Sequence, residues 1–269
     1  MVRAARVLKE MAEVFIKNHV ARSAAALAYS LTISIFPFLI CMSIILGSLN
    51  VQDTDAFALL EGVIPDATYA AISDYLSYIG GNRSELMFTI GLTAMLTSSS
   101  AAFRSFTGIM GEIQGKMRFS GIKGWLISFL FSIVFLAVIY CSALVILSGE
   151  WLMHLLNTYL DVTEITGLWT WIRFIILFLL LFGVIYGVYM VSAPKQTKRL
   201  SRLPGALAAS VILVAASVIF SQMITVSIRY EILYGSLASF IILMIWLYTC
   251  ALILIMANVL NISVSNLRK

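Results

Sequence analysis

The feature that most constrains the fold is an uncharged run after Arg22, "SAAALAYSLTISIFPFLICMSIILGSLN", which covers residues 23–50. A helix in a soluble protein needs polar residues on its outer face, and this run has apolar residues on every face. A transmembrane helix needs about 20 apolar residues at a rise of about 1.5 Å each. The run therefore predicts a membrane span, with lipid as its solvent.

Similar runs recur along the chain. Charged residues make up 12% of the sequence, against about 25% in a soluble domain. We predict an all-α, polytopic membrane protein that forms a single six-helix domain over residues 1–269. The six predicted transmembrane helices cover residues 23–49, 86–103, 125–149, 169–192, 204–227 and 235–262.

The basic residues predict the orientation of these spans. Fifteen of the 18 lysines and arginines fall in alternate loops, at positions 3–22, 104–123, 195–202 and 268–269. Lysine and arginine are enriched in cytoplasmic loops. Both termini are therefore predicted to be cytoplasmic. The net charge of +5 is explained by this topology and by lipid headgroups, so no nucleic-acid partner is expected.

Segments between the spans are predicted to be helical too. Residues 1–22 form an amphipathic helix that places Val7, Met11, Val14, Phe15 and Ile16 near one face. This helix either lies in the membrane interface or packs on cytoplasmic loops. The outer loop 50–85 is expected to form a helical hairpin or cap, and the outer segment 150–168 is expected to contain short helices.

Two residues are candidate hinges. Pro37 lies in the middle of the first span, where it removes a backbone hydrogen bond. It predicts either a static bend or a gating hinge. Gly235 permits a sharp turn between the last two spans. In the first span Ala24, Ala28 and Thr32 share one face at four-residue spacing, which predicts either close helix packing or a face that lines a substrate path.

Polar residues within the spans are the candidate substrate-binding residues. They are Arg22, Tyr29, Ser30, Ser98, Ser99, Ser100, Arg104, Tyr234, Asn258 and Asn261. The serines either line a cleft or bond to carbonyl groups of their own helix. Arg22 and Arg104, at similar predicted depths, either grip an anionic headgroup or serve as anchors at the membrane surface.

No enzyme signature accompanies these residues. The sequence lacks HExxH, GxSxG and phosphate-loop motifs, and no acidic pair lies within a span. The three cysteines, Cys41, Cys141 and Cys250, lie singly in apolar runs and are interpreted as inert buried thiols. We therefore expect no catalytic residues, no metal and no cofactor.

Several stretches resemble the YihY/BrkB family of bacterial integral membrane proteins. These are "AAALAYSLTISIFPFL", "SSSAAFRSF", "RLPGALAAS", "YEILYGSLASFIILMIWLY" and "ANVLN". The resemblance implies a six-helix protein of the bacterial plasma membrane. The family was once described as a ribonuclease, a label widely considered a misassignment, and some members are placed near phospholipid or envelope transport. Many relatives resemble "GAELN" near the last motif, where this chain has Val259 at the acidic position.

Three functions follow as hypotheses. The leading one is transport of a lipid or another amphiphilic or anionic envelope substrate, with membrane lipids as partners. The second is a scaffold that binds an extracytoplasmic protein through the acidic outer loops. The third, a membrane-bound hydrolase or ribonuclease, has the least support because no ligand cluster is present. The oligomeric state is left open by the sequence.

Overall fold

The computed structural model describes residues 2–48, 85–115, 119, 121–160, 165–192, 202–234 and 236–266, and no β-strand occurs among them. Seven helices form this part of the chain. They are α1 (Val2–Lys17), α2 (Val20–Ser48), α3 (Glu85–Gln114), α4 (Gly121–Leu160), α5 (Ile165–Ser192), α6 (Leu203–Tyr234) and α7 (Ser236–Asn266). The all-α prediction is confirmed for this part of the chain.

Four of the described helices are long and apolar enough to cross a membrane. Their apolar stretches are Gly121–Ser142, Ile172–Ser192, Leu203–Ser221 and Phe240–Ser265. Among the described residues, α2 adds the apolar stretch Val20–Ile35. The chain is therefore a multi-pass membrane protein. Helices α2 and α3 coincide with the first two predicted spans, and six spans in total stay a prediction.

The helices from α2 to α7 are arranged as a ring in sequence order. Each packs against the next along the chain, and α2 also packs against α7, which closes the ring. Helix α1 lies outside the ring against α7 and α2. This order explains how residues far apart in sequence, such as those of α2 and α7, come to share one core.

The buried core lies at one end of the ring. It is built from the N-terminal parts of α2 and α6 and the C-terminal parts of α3, α5 and α7, through residues such as Ala24, Met110, Tyr189, Ala209 and Ile255. We call this the core end. The predicted packing face of α2 is confirmed, since Ala24, Ala28 and Thr32 are all buried there. Small residues let the helix backbones approach where lipid supplies no hydrophobic drive.

Several helices continue beyond the predicted limits of their spans. Helix α4 has 40 residues, a length of about 60 Å at about 1.5 Å per residue, against a hydrocarbon core of about 30 Å. The described parts of the segment 150–168 continue α4 and α5. Pro37 lies inside α2, and its hinge role stays a prediction. Residue 235 and nearly all of loop 50–85 lie outside the described residues.

A defined corner joins α1 to α2. His19 adopts the left-handed conformation, with φ of 49°, which a residue other than glycine rarely does. The backbone amide of Asn18 donates to the carbonyl of Val14 at 3.0 Å, and the amide of Arg22 donates to the carbonyl of His19 at 2.9 Å. The change of direction is thus set by hydrogen bonds on both sides of His19.

Candidate functional site

Hydroxyl groups in the first two predicted spans bond to carbonyl groups of their own helices. Ser30 donates a hydrogen bond to the carbonyl of Ala26 at 3.2 Å, and Thr97 donates to the carbonyl of Thr93 at 2.9 Å. These hydroxyls bond to their own helices, which was the alternative prediction for such residues. Tyr29 is 62% exposed, so it faces away from the core.

A cavity of about 250 Å³ lies between α3, the start of α4 and the end of α5. We call it the arginine cavity. Its lining includes Phe103, Arg104 and Thr107 of α3, Trp125 and Ser128 of α4, and Ser192 of α5. Pockets for drug-sized ligands measure about 300–1,000 Å³. The arginine cavity therefore fits a charged headgroup better than a whole lipid molecule.

Arg104 supplies the positive charge of this cavity. It is half-buried, and its Nη1 donates to Oγ of the buried Ser100, one helical turn earlier, at 3.0 Å. A guanidinium carries several N–H donors in a planar fork, so a single bond to Ser100 holds its position and leaves donors for a ligand. No acidic side chain belongs to the described lining of the cavity.

The first turns of α4 add to the positive potential. Gly121 begins the helix with φ of 60°, a left-handed conformation that glycine adopts without steric cost. The N-terminal end of a helix carries unpaired N–H groups and a partial positive charge. Lys123 is exposed on the same turn. Arg104 and this helix end therefore favour an anion in the cavity, and Lys123, which does not line the cavity, adds positive charge nearby.

Ser192 connects the cavity to the last helix. Its Oγ accepts a hydrogen bond from Nδ2 of Asn258 at 3.2 Å. One turn earlier the hydroxyl of Tyr189 donates to the carbonyl of Leu254 at 2.8 Å. The C-terminal end of α5 is thus attached to α7 by two polar contacts, and one of them lies at the cavity wall.

Asn261 joins α7 to the start of α6. Its Oδ1 accepts a hydrogen bond from the backbone amide of Gly205 at 2.7 Å, which satisfies one of the amides left unpaired at a helix start. Nearby, Arg202 is 5% exposed and donates to the carbonyl of Met190 at 3.2 Å. The predicted residue Asn261 is therefore buried in a polar contact between helices.

The predicted residues do not converge on one site. Arg104 lines the arginine cavity. Ser100 does not line it but bonds to Arg104, and Asn258 bonds to the lining residue Ser192. Arg22 is exposed and does not line the cavity. Ser98 and Ser99 are half-buried on α3 and do not line it either. The side chain of Tyr234 lies outside the described residues.

Sequence reasoning missed Ser192, Gly205 and Trp125. The available signals were a serine in the last turn of an apolar helix and a Pro-Gly pair, Pro204 and Gly205, at the start of another. Neither sequence signal identifies the neighbouring helix that the residue contacts. Only the packing shows which side chains meet.

Replacing Tyr189 with phenylalanine is expected to destabilise the bundle by about 1 kcal/mol, because the hydrogen bond from the Tyr189 hydroxyl to the carbonyl of Leu254 is lost. Reversible unfolding of the purified protein in mixed micelles measures this loss. Tyr186→Phe is the matched control, since Tyr186 lies on the same helix and its hydroxyl has no hydrogen bond to the described residues. Equal losses in both variants would show that the Tyr189 contact contributes nothing.

Comparison with known protein families shows to which family this chain belongs. The profile of the family described as virulence factor BrkB matches residues 11–269. The chain belongs to the BrkB family. The resemblance seen in the sequence motifs is thereby confirmed over nearly the whole length.

Individual relatives of this BrkB protein agree with the family match. The ribonuclease-like protein YfkH of Bacillus subtilis (strain 168) is 23% identical over 258 residues, 94% of this chain and 93% of the relative. A UPF0761 membrane protein of Aliivibrio fischeri (strain MJ11) is 25% identical over 250 residues, 87% of this chain and 74% of the relative. No solved structure matches the chain.

The BrkB relatives carry names of two kinds, and the structure bears differently on each. The name "membrane protein" agrees with the apolar helices of this chain. The name "ribonuclease-like", which YfkH carries, is the older kind of label. Among the described residues no group of three or more His, Cys, Asp or Glu side chains is placed to hold a metal ion.

Proposed function

We propose that this BrkB protein transports, or admits into the bilayer, a lipid or another amphiphilic substrate with an anionic headgroup. The observation that carries the proposal is the arginine cavity, in which Arg104 faces a headgroup-sized space whose described lining has no acidic side chain. An arginine is suited to phosphate and carboxylate because its planar fork matches their oxygens.

The proposal includes a topology. Helices α2 to α7 are the six spans, both termini are cytoplasmic, and the core end faces the cytoplasm. The basic residues near this end, from Arg22 to Lys123, support that orientation through the preference of lysine and arginine for cytoplasmic loops. The membrane is the bacterial inner membrane, as the resemblance implies, and residues 1–22 provide an interfacial helix.

In this orientation the arginine cavity lies near the headgroups of the cytoplasmic leaflet. Trp125, which is half-exposed and stacks on Phe129 with ring centroids 5.5 Å apart, stands at its wall. Tryptophan is enriched at the membrane–water interface. A substrate can therefore place its headgroup in the cavity while its acyl chains stay in lipid. Pro37 and Gly235 are the proposed hinges for its onward movement.

The alternatives have less support. The scaffold hypothesis depends on the outer loop 50–85, nearly all of which lies outside the described residues. A hydrolase needs a nucleophile and base, or a metal, at a cleft, and the described lining of the arginine cavity offers hydroxyls and one arginine. Transport remains the function that the geometry supports best.

Reconstitution into liposomes tests the proposal. The purified protein is expected to move fluorescent phosphatidylglycerol between leaflets faster than protein-free liposomes do, and to move phosphatidylcholine less. Native mass spectrometry is expected to find an anionic lipid retained by the protein. Absence of both movement and retained lipid, in protein shown to be folded, would contradict the transport proposal.

A further inference from the structure

The first helix, α1, presents three different faces, and the protein covers only one of them. Val7, Met11, Val14 and Phe15 are half-buried, and Phe15 packs against the core of the ring. These residues belong to the apolar face predicted from the sequence. The prediction was wrong for Ile16, which is exposed and does not lie with them. The ring, through α7 and α2, therefore covers most of that face.

A second apolar stripe remains exposed. Leu8 is 66% exposed and Ile16 is 73% exposed, and Ala12 between them is exposed too. Residues four apart lie above one another on a helix, so these three form one continuous stripe. We call it the outer stripe of α1.

Charged side chains border the outer stripe. Arg6, Lys9, Glu13 and Lys17 are exposed, and Nζ of Lys9 lies 4.0 Å from Oε1 of Glu13. Ion pairs at such exposed positions contribute little to stability. Glu10, which is half-buried, belongs to the same face. Three basic residues against two acidic ones leave this face with an excess of one positive charge, which favours an anionic surface.

We propose that the outer stripe of α1 lies in the cytoplasmic leaflet, with Arg6, Lys9 and Lys17 among anionic lipid headgroups. A helix with an apolar stripe beside basic residues binds at the headgroup–acyl boundary. The corner at His19 leads directly into α2, the first helix of the ring. This places α1 at the level where α2 meets the membrane surface, so lipid rather than a second protein covers the stripe.

The proposal assigns α1 two partners at once. On its inner face Phe15 packs against the core, and its outer stripe contacts the lipids of the cytoplasmic leaflet. A change in the anionic lipid content of that leaflet thus acts on the core end through α1. The inference rests on the proposed topology and not on the transport of any substrate.

Site-directed spin labelling tests this arrangement in the full chain, with Cys41, Cys141 and Cys250 replaced by alanine. Single cysteines at positions 8, 12 and 16 report the outer stripe, those at 9, 13 and 17 the charged face, and one at 11 the inner face. The protein is placed in nanodiscs of phosphatidylcholine, with or without phosphatidylglycerol. Accessibility to oxygen, which is concentrated in lipid, is compared with accessibility to a water-soluble nickel chelate.

Labels at 8, 12 and 16 are expected to show a several-fold higher oxygen-to-nickel ratio than labels at 9, 13 and 17. The ratio is expected to rise further with phosphatidylglycerol, because each basic side chain near an anionic surface raises membrane affinity by about fivefold. The double variant Lys9→Gln, Lys17→Gln is expected to remove most of that rise. The label at 11 is expected to be shielded from both reagents.

Two outcomes overturn the proposal. Equal nickel accessibility at 8 and 13 means that water covers the stripe, and shielding of 8 and 16 from both reagents means that protein covers it. An oxygen-to-nickel ratio that is independent of phosphatidylglycerol overturns the part that concerns anionic lipid. No transport step enters this readout, so its failure and a failure of the liposome experiment are separate results.

Discussion

Replacing Gly205 with alanine is expected to displace α6 from α7 and to remove a large fraction of the stability of the bundle. A Cβ atom at this position would lie under 3.0 Å from the backbone carbonyl oxygen of Ala257, and 2.6 Å from Cγ of Asn261. A backbone oxygen inside a packed helix pair cannot move aside alone. Helix α6 must shift, and the bond from the Gly205 amide to Asn261 is then lost.

The expected loss combines two effects. Overpacking a well-packed core costs about 1–3 kcal/mol, and loss of a buried hydrogen bond adds about 1 kcal/mol. Against a typical total stability of about 5–15 kcal/mol, this is a large fraction. Thermal unfolding in detergent and the yield of monodisperse protein measure the effect.

Gly183→Ala is the matched control for this experiment. Gly183 lies inside α5, and a Cβ atom added there meets no described atom within 4 Å. Alanine is a better helix former than glycine by about 1 kcal/mol, so the control is expected to be neutral or slightly stabilising. If Gly205→Ala were as stable as Gly183→Ala, the close approach of α6 and α7 would be refuted.

Replacing Arg104 with glutamine is expected to weaken binding of an anionic lipid by about 10- to 100-fold, because a hydrogen bond to a charged group contributes about 1.5–3 kcal/mol. Arg104→Lys keeps the charge but loses the planar fork, so an intermediate loss is expected. Retention of phosphatidylglycerol in native mass spectrometry and its movement in liposomes are the two measurements.

Substitutions of two other arginines show whether the loss of binding is specific to Arg104. Arg173 lies at the opposite end of α5, with its guanidinium 5.6 Å from the ring centroid of Phe174, so Arg173→Gln removes one positive charge away from the cavity. It is expected to bind lipid as the native protein does. Arg22→Gln tests the paired-arginine hypothesis, and a loss equal to that of Arg104→Gln would show that both residues grip the headgroup.

The sequence predicts the position of the helices well and their ends poorly. An apolar run shows where a helix is surrounded by lipid, and α6 begins at Leu203, next to the predicted 204. A helix has no need to end where the lipid ends. Helix α3 therefore continues past Arg104 to Gln114, and α4 continues to Leu160.

The candidate site was predictable one residue at a time. Arg104, Ser100 and Asn258 stood out because polar groups are costly in lipid and need partners. Ser192, which lines the cavity and accepts a hydrogen bond from Asn258, was missed because periodicity within one helix does not say which helices are neighbours. The same limit made Tyr29 resemble a lining residue, although it faces outward.

The contact between α2 and α7 has a consequence for how the protein is made. Every other neighbouring pair in the ring is complete as soon as the next helix leaves the ribosome, whereas this pair waits until α7 has been synthesised. Until then the nascent bundle is an open arc in which the part of α2 that packs against α7 is uncovered. We therefore expect truncation before α7 to expose this part of α2 to membrane chaperones and proteases.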